Sequence, residues 1–293
     1  MYSTSMGPAL FIDGKNTAYR ALFASINNPD FHKTHPFVTW LRLTNICIER
    51  FRPSSIHVFW DCPKGMVWRK KIISEYKENR NGNSNDEILE GLRKVEAVAS
   101  SILPLMNMRV YRKDTQEADD LIYSACRVIA PQKAVIISSD SDMIQIPWLM
   151  SHVKVYDPRK NEFMAVPDTN PVYVKCLMGD STDNVSGYRG IGDVKSRQIA
   201  KGYRVMTEFL DVRGEQEFKR NLALIDLSLN PSRMSNELYV IRTMGVDTQF
   251  DRAAITTKIQ ELKIMGLNGE FQRLVVPLKF IGAKPGDSAE NIE

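Results

Sequence analysis

The sequence predicts an α/β protein with a mainly parallel central sheet flanked by helices, followed by a smaller helical region. Three observations carry this. Through the first two-thirds of the chain, short apolar runs alternate with amphipathic stretches of helical length, the order of strands joined by crossover helices. In "NDEILEGLRKVEAVASSIL" (85–103) the apolar positions recur at three- and four-residue spacing, which marks a helix with one buried face. Beyond residue 170 the strand signal stops and helical patterns continue.

Taken in order, the first strand is "PALFID" (8–13), with helices expected over 15–26 and 36–51. "SIHVFWD" (55–61) is the second strand, and the helix over 85–103 leads to a third, "MRVYRK" (108–113). Thr115 suits the N-cap of a helix over 117–130. "AVIISSD" (134–140) and "VKVYDP" (153–158) continue the sheet, and "EFMAV" (162–166) forms its edge. Further helices are expected over 171–178, 193–201, 204–212, 215–228 and 251–265, before a mobile tail, "GAKPGDSAENIE". The division this suggests is an α/β domain over 1–169 and a helical subdomain over 170–293.

A chain of 293 residues, 43% hydrophobic and 25% charged, has room for a substantial core and an ordinary globular composition. No apolar stretch approaches the ~20 residues that span a bilayer, and the opening "MYSTSMGPALFIDG" lacks a basic segment and a long apolar segment. A cytoplasmic protein is therefore expected, with its four scattered cysteines as free thiols. His32 and His35 lie in a Pro-bounded loop, and no histidine or cysteine pattern suits zinc. Net charge is only +4, but basic residues cluster in "WRKKIISEYKENR" (68–80) and "RGIGDVKSRQIAKGYR" (189–204), segments able to meet a polyanion.

The acids carry the chemistry. Three predicted strands end in aspartate: Asp13, Asp61 and Asp140. Such residues commonly cap helices or form turns, yet in open α/β sheets ligands bind just outside the carboxyl ends of the strands. Asp142, two residues past Asp140, falls on the same face if the chain stays extended, an arrangement of like charges that calls for a cation. "TQEADDLIYSA" places Glu117, Asp119 and Asp120 in the first turns of a helix, and "LMGDSTDNVSG" places Asp180 and Asp183 three apart beside a turn. Nine carboxylates without histidine or cysteine suit Mg²⁺ or Mn²⁺. They are too many for one ion and suit two about 4 Å apart, the geometry of an in-line phosphoryl displacement. Acids so crowded also predict that Mg²⁺ raises the melting temperature of the metal-free protein.

With those motifs in view, the chain resembles the flap endonuclease / 5′–3′ exonuclease family, which includes stand-alone phage 5′-nucleases and the 5′-nuclease domain of bacterial DNA polymerase I. The likeness rests on "FIDGKNTAYRALFA", "VFWD", "EYKENR", "EADDLI", "ISSDSDM", "LMGDSTDNVSGYRGIGDVKS" and "NLALIDL", in the family's order over most of residues 8–230. It implies a PIN-like 5′-nuclease fold with a helical arch over about 77–110 and a three-helix helix–hairpin–helix over about 180–212. Asp13, Asp61, Glu117, Asp119 and Asp120 are implied as ligands of a first metal. Asp140, Asp142, Asp180 and Asp183 are implied for a second, with Asp140 shared.

By the same resemblance, Tyr76, Lys77 and Arg80 are catalytic: Lys77 and Arg80 face the scissile phosphate and Tyr76 stacks near the terminal nucleotide. If helical, Lys77 and Arg80 share a face, aimed at developing negative charge. Arg20 is implied as a further phosphate contact. Gly190 and Gly192 form the hairpin that grips duplex DNA, with a bound K⁺, and Lys195 and Arg197 follow; "DVKSRQIA" departs from the usual sequence after these glycines.

The activity implied is metal-dependent hydrolysis of DNA near 5′ ends, at flaps, duplex ends or RNA primers in hybrids, by a monomer in replication or repair. Two other readings are a DNA-binding protein of the same fold with a degenerate site, and an RNA-directed PIN-type nuclease or metal phosphatase. The complete acid set counts against the first and "GYRGIG" against the second.

Overall fold

The computed structural model describes residues 7–26, 35–62, 64–80, 86–128, 132–202, 208–229 and 248–281. Six strands form one sheet: β1 (Ala9–Asp13), β2 (Ser55–Phe59), β3 (Arg109–Tyr111), β4 (Ala134–Ile137), β5 (Val153–Asp157) and β6 (Glu162–Phe163). Their order is β3-β2-β1-β4-β5-β6. Every pairing is parallel except that of β6 with β5; β6 lies at the sheet edge, as expected, but is only two residues long. The order reverses at β1, where β2 lies on one side and β4 on the other, and a crevice opens there beyond the strand ends.

Period-two alternation divides the sheet residues between two apolar layers. Leu10, Ile12, Val58, Val135 and Ile137 face α1 (Gly14–Ile26), α2 (Pro36–Phe51) and α4 (Asp86–Ile102). Phe11, Phe59, Ile136 and Val155 face α5 (Ala118–Val128) and α6 (Gln145–Leu149). A short helix, α3 (Val67–Lys70), lies between β2 and α4. Among the described residues no helix is long and apolar enough to cross a membrane.

The segment read as an arch is packed down in its described part. Leu92, Val95, Val98, Ala99 and Ile102 of α4 are buried in the first apolar layer, and a Cβ on Gly91 would lie 2.7 Å from Leu22 of α1. The expected helix over 85–103 is thus present as an amphipathic core helix. Residues 81–85, between it and Lys77, lie outside the described residues.

The region beyond residue 170 divides in two. Helices α7 (Pro171–Met178), α8 (Asp193–Ile199) and α9 (Val212–Ile225) enclose their own apolar cluster, built on Val172, Cys176, Leu177, Phe218 and Leu224, and Tyr76 joins it. Helices α10 (Arg252–Glu261) and α11 (Leu267–Leu274) return to the sheet domain instead, where Ile255, Ile259, Leu267 and Leu278 complete the first layer. Arg42 of α2 pairs with Glu270, and Asn45 donates to the Leu274 carbonyl. Of the helix expected over 204–212, residues 204–207 lie outside the described residues; 208 and 209 are helical, 210 and 211 are not, and 212 already belongs to α9. The tail, 282–293, lies outside the described residues.

Two short strands that the sequence did not suggest, β7 (Gly179–Asp180) and β8 (Val185–Ser186), pair antiparallel around the Asp180–Asp183 turn. Gly179 has φ +79° and Asn184 φ +59°, left-handed values that glycine and asparagine tolerate best. A Cβ on Gly187 would lie 2.1 Å from the Met178 carbonyl, so this glycine permits the close backbone approach.

Candidate metal centre

At the strand ends, capping and site-building are done by the same residues. Asp13 accepts the Asn16 amide at 3.0 Å at the start of α1, and its other oxygen accepts from Ser138 Oγ at 3.0 Å. Asp61 lies two residues past β2 and accepts the Ala118 amide of α5 at 2.8 Å, one of the donors that a helix start leaves without an internal partner. Asp140 caps a single 3₁₀ turn, Ser141–Ile144, by accepting the Asp142 amide at 2.9 Å. Because β4 ends at Ile137, Asp140 and Asp142 do not share a pleat; the cap brings them together. Thr115, expected to cap α5, has φ +69° and stands outside the helix. The Glu117 amide is accepted by Asp120 at 3.3 Å instead.

Eight of the nine predicted acids line one cleft of about 360 Å³; Asp120 does not. One oxygen from each of Glu117, Asp119 and Asp120 lies within 4.8 Å of the others, and the same holds for Asp142, Asp180 and Asp183. These are two hard oxygen-donor groups, the chemistry that suits Mg²⁺ or Mn²⁺.

Basic side chains occupy positions a divalent ion would otherwise satisfy. Lys15 Nζ is 2.8 Å from Asp61. Lys77 Nζ contacts Glu117 and lies 3.6 Å from Asp183, joining the two groups. Lys175 of α7 contacts Asp142 and lies 2.7 Å from Asp180. Arg69, fully buried, donates to Glu117 at 2.6 Å and forks onto both oxygens of Asp120 at 2.8 and 3.0 Å. Four cations therefore share a crowd of nine acids.

Proton affinities follow the pairing. Burial, with Asp61 and Asp140 nearby, raises the Asp13 carboxyl to about 7. Burial beside Asp120 and Glu117 also holds Asp119 well above the usual carboxylate range, and burial raises Asp142 despite Lys175. Burial pushes Asp61 and Asp180 the same way, but Lys15 and Lys175 more than offset it and both fall below their ordinary value. For Lys77, burial opposes the charge, while Glu117 and Asp183 outweigh it and raise its pKa. It is an ammonium at neutral pH.

Of the two expected catalytic residues whose side chains are described, Lys77 lines the cleft and Tyr76 does not. It does not sit on a helix: its φ is +57°, and the following turn is 3₁₀ over Glu78–Arg80 only. The shared-face argument for Lys77 and Arg80 fails because the backbone reverses hand at Lys77. The Arg80 side chain lies outside the described residues. Tyr76 is 3% exposed, its Oη donates to Asp183 at 2.9 Å, and Lys77 and Arg69 lie over its ring at 5.1 and 5.9 Å. It buttresses the second acid group and presents no open face for stacking.

The residues expected to touch DNA sit farther out. Arg20 reaches the Pro158 carbonyl at 3.5 Å. Gly190 has φ +76°, and a Cβ on either Gly190 or Gly192 would meet nothing within 4 Å, so that turn is open on its outer side. Gly192 precedes α8, where Lys195 lies over Phe209 at 5.8 Å and Arg197 pairs with Asp193 at 2.9 Å.

Lys15, Arg69 and Lys175 were not singled out in the sequence. Arg69 sits in a basic run whose commonest meaning is a solvated face, and Lys175 is an ordinary helical lysine. The available signal was the charge balance: nine acids at one point demand internal counter-charge.

A family model for the 5′-3′ exonuclease N-terminal, resolvase-like domain matches residues 8–175, and with the acid cleft it defines a nuclease. A 5′-3′ exonuclease of Mycoplasma pneumoniae is 30% identical over 68% of this chain and 73% of its own length. One from Aquifex aeolicus is 25% identical over 90% and 94%. The chain belongs to the 5′-3′ exonuclease family and is a 5′-nuclease, a phosphodiester hydrolase. It also matches a DNA polymerase I of Lactococcus lactis at 27% identity, but spans only 28% of that protein. Among solved structures, the phage T5 D15 protein crystallised with metal ions shares the fold, with a TM-score of 0.64 at 17% identity over 87% of this chain and 98% of that one.

Proposed function

We propose that the chain is a structure-specific flap endonuclease and 5′–3′ exonuclease using two divalent ions, Mg²⁺ or Mn²⁺, on branched or 5′-ended DNA and on RNA primers paired to DNA. The observation that carries this is the single cleft in which eight carboxylates surround the ammonium of Lys77. D15 structures that hold metal ions, one of them with DNA as well, support it. The first ion falls to Glu117 and Asp119 with Asp13 and Asp61, and the second to Asp142, Asp180 and Asp183, with Asp140 between them. Asp120 acts through Arg69. Bound there, such ions would supply an activated water and charge stabilisation for the reacting phosphate.

The remaining chemistry belongs to the protein. Lys77 holds a fixed positive charge toward the reacting phosphate, where negative charge builds in the transition state; Arg80 adds a second. The turn at Gly190 and Gly192 offers open backbone to a duplex phosphate, with Lys195 and Arg197 beside it and K⁺ at the turn; Arg20, beside Pro158 just past the end of β5, meets a further phosphate. The protein works as a monomer in the cytoplasm, in phage or bacterial replication and repair.

The test is cleavage of a 5′-labelled flap and a blunt duplex, with Mg²⁺ and with EDTA, Asp140→Asn beside the wild type. Metal-dependent release of a flap-length fragment, absent in the variant, is expected. Mononucleotides from the duplex alone would make the enzyme an exonuclease only, and binding without cutting would establish the DNA-binding alternative.

A further inference from the structure

The last turn of α9 leaves its carbonyls without intrahelical partners, and the groups that satisfy them come from the sheet domain. Arg69 Nε donates to the Leu224 carbonyl at 3.0 Å, and Gln145 Nε2 donates to the Ile225 carbonyl at 3.3 Å. Gln145 Oε1 then accepts the Leu227 amide at 3.0 Å. Arg69 and Gln145 are 1% and 3% exposed.

Each of these side chains also reports to an acid group. The rest of the Arg69 guanidinium is spent on Glu117 and Asp120, packed between Trp68 at 4.3 Å and Tyr76. Gln145 closes the 3₁₀ turn that begins at Asp140 and carries Asp142. One turn earlier on α9, Asn221 is 0% exposed and donates at 2.9 Å to the carbonyls of both Cys176 and Ser186. Those two residues bracket the hairpin that holds Asp180 and Asp183.

We propose that the C-terminal end of α9 is the alignment element of the metal centre: Arg69, Gln145 and Asn221 are positioning residues that hold the two acid groups in register through it. A guanidinium at the negative end of a helix is favoured by the dipole, and its planar fork fixes direction as well as distance, which a lysine ammonium does not. Asp120 then serves the centre as the anchor of Arg69. This inference rests on the two-metal reading of the site.

The experiment compares wild type, Arg69→Lys and Gln145→Leu by three measurements. These are Mn²⁺ binding by calorimetry and electron paramagnetic resonance, duplex affinity in Ca²⁺, and single-turnover cleavage of a flap. Arg69→Lys keeps the charge and loses the fork. Loss of such a supporting contact typically costs 10–100-fold in metal affinity or activity. We expect both variants to bind Mn²⁺ about 10-fold or more weakly, to lose the spin coupling between two neighbouring ions, and to keep duplex affinity within about twofold. Gln145→Leu serves if Arg69→Lys does not fold. Wild-type Mn²⁺ affinity and coupling in a folded variant would overturn the proposal, as would a lower melting temperature with unchanged metal binding. Should the wild-type protein leave the flap uncut, the flap-endonuclease reading fails while the Mn²⁺ titration still decides the alignment role.

Discussion

Adjacent carboxylates in this chain have opposite assignments, and the difference is measurable. Asp119 lines the cleft and is held above the usual carboxylate range by burial beside Asp120 and Glu117. Asp120 spends both oxygens on Arg69. Asp119→Asn should stabilise the metal-free protein at neutral pH and abolish metal-dependent cleavage. Asp120→Asn should destabilise it, by about 1–3 kcal/mol, because a buried charged donor loses part of its partner. Urea denaturation in EDTA separates the two. Asp13 adds a pH signature. A carboxyl whose folded-state pKa lies above its unfolded value contributes stability below the unfolded value and loses it as pH rises through the folded one. With Asp13 moved from 3.8 to about 7, the melting temperature in EDTA should carry a falling component across that window. Asp13→Asn should make the decline shallower, as calorimetry at several pH values would show.

At the level of elements, the two kinds of glycine in the helical unit predict different losses. Gly187→Ala drives a Cβ into the Met178 carbonyl at 2.1 Å and should cost about 3 kcal/mol or more, as strain at a tight backbone contact does. Gly192→Ala meets nothing within 4 Å and has an ordinary φ of −96°, so stability should stay within about 0.5 kcal/mol, while duplex affinity falls if that backbone faces a phosphate. Strands and most helices were legible because each has one dominant signal, a short apolar run or a 3.6-residue period. What escaped was set by single backbone angles: the left-handed Lys77, which ends the expected shared face with Arg80, and the Gly179 and Asn184 turns that make β7 and β8. The acids were legible for a different reason, since like charge concentrated at strand ends has few physical explanations. Their partners Arg69 and Lys175 come from separate elements and meet the acids only in the folded chain.

Across the whole molecule, nine acids and four internal cations set how strongly metal is linked to folding. Ions that bind the folded state alone stabilise by about 2.7 kcal/mol at one hundred times their dissociation constant. Melting in 10 mM Mg²⁺ (a condition chosen to be roughly saturating for weak carboxylate sites) should therefore exceed melting in EDTA. The paired lysines make the rise smaller than the bare acid count suggests, because Lys15, Lys77 and Lys175 already relieve part of the repulsion. Identical curves would mean that the ammoniums satisfy the site and ions add nothing to it.

The return of α10 and α11 to the sheet domain bears on how the chain is made. Ile255, Ile259, Leu267 and Leu278 complete a layer whose other members begin at Leu10, and the helical unit is threaded between. On the ribosome, a nascent chain that has emerged only as far as residue 247 would carry every strand of the sheet but not the helices that cover α2. Such a chain exposes apolar surface of the kind that leads to aggregation or chaperone capture. The catalytic half can therefore close only after the segment from Ile255 to Leu278 has been made.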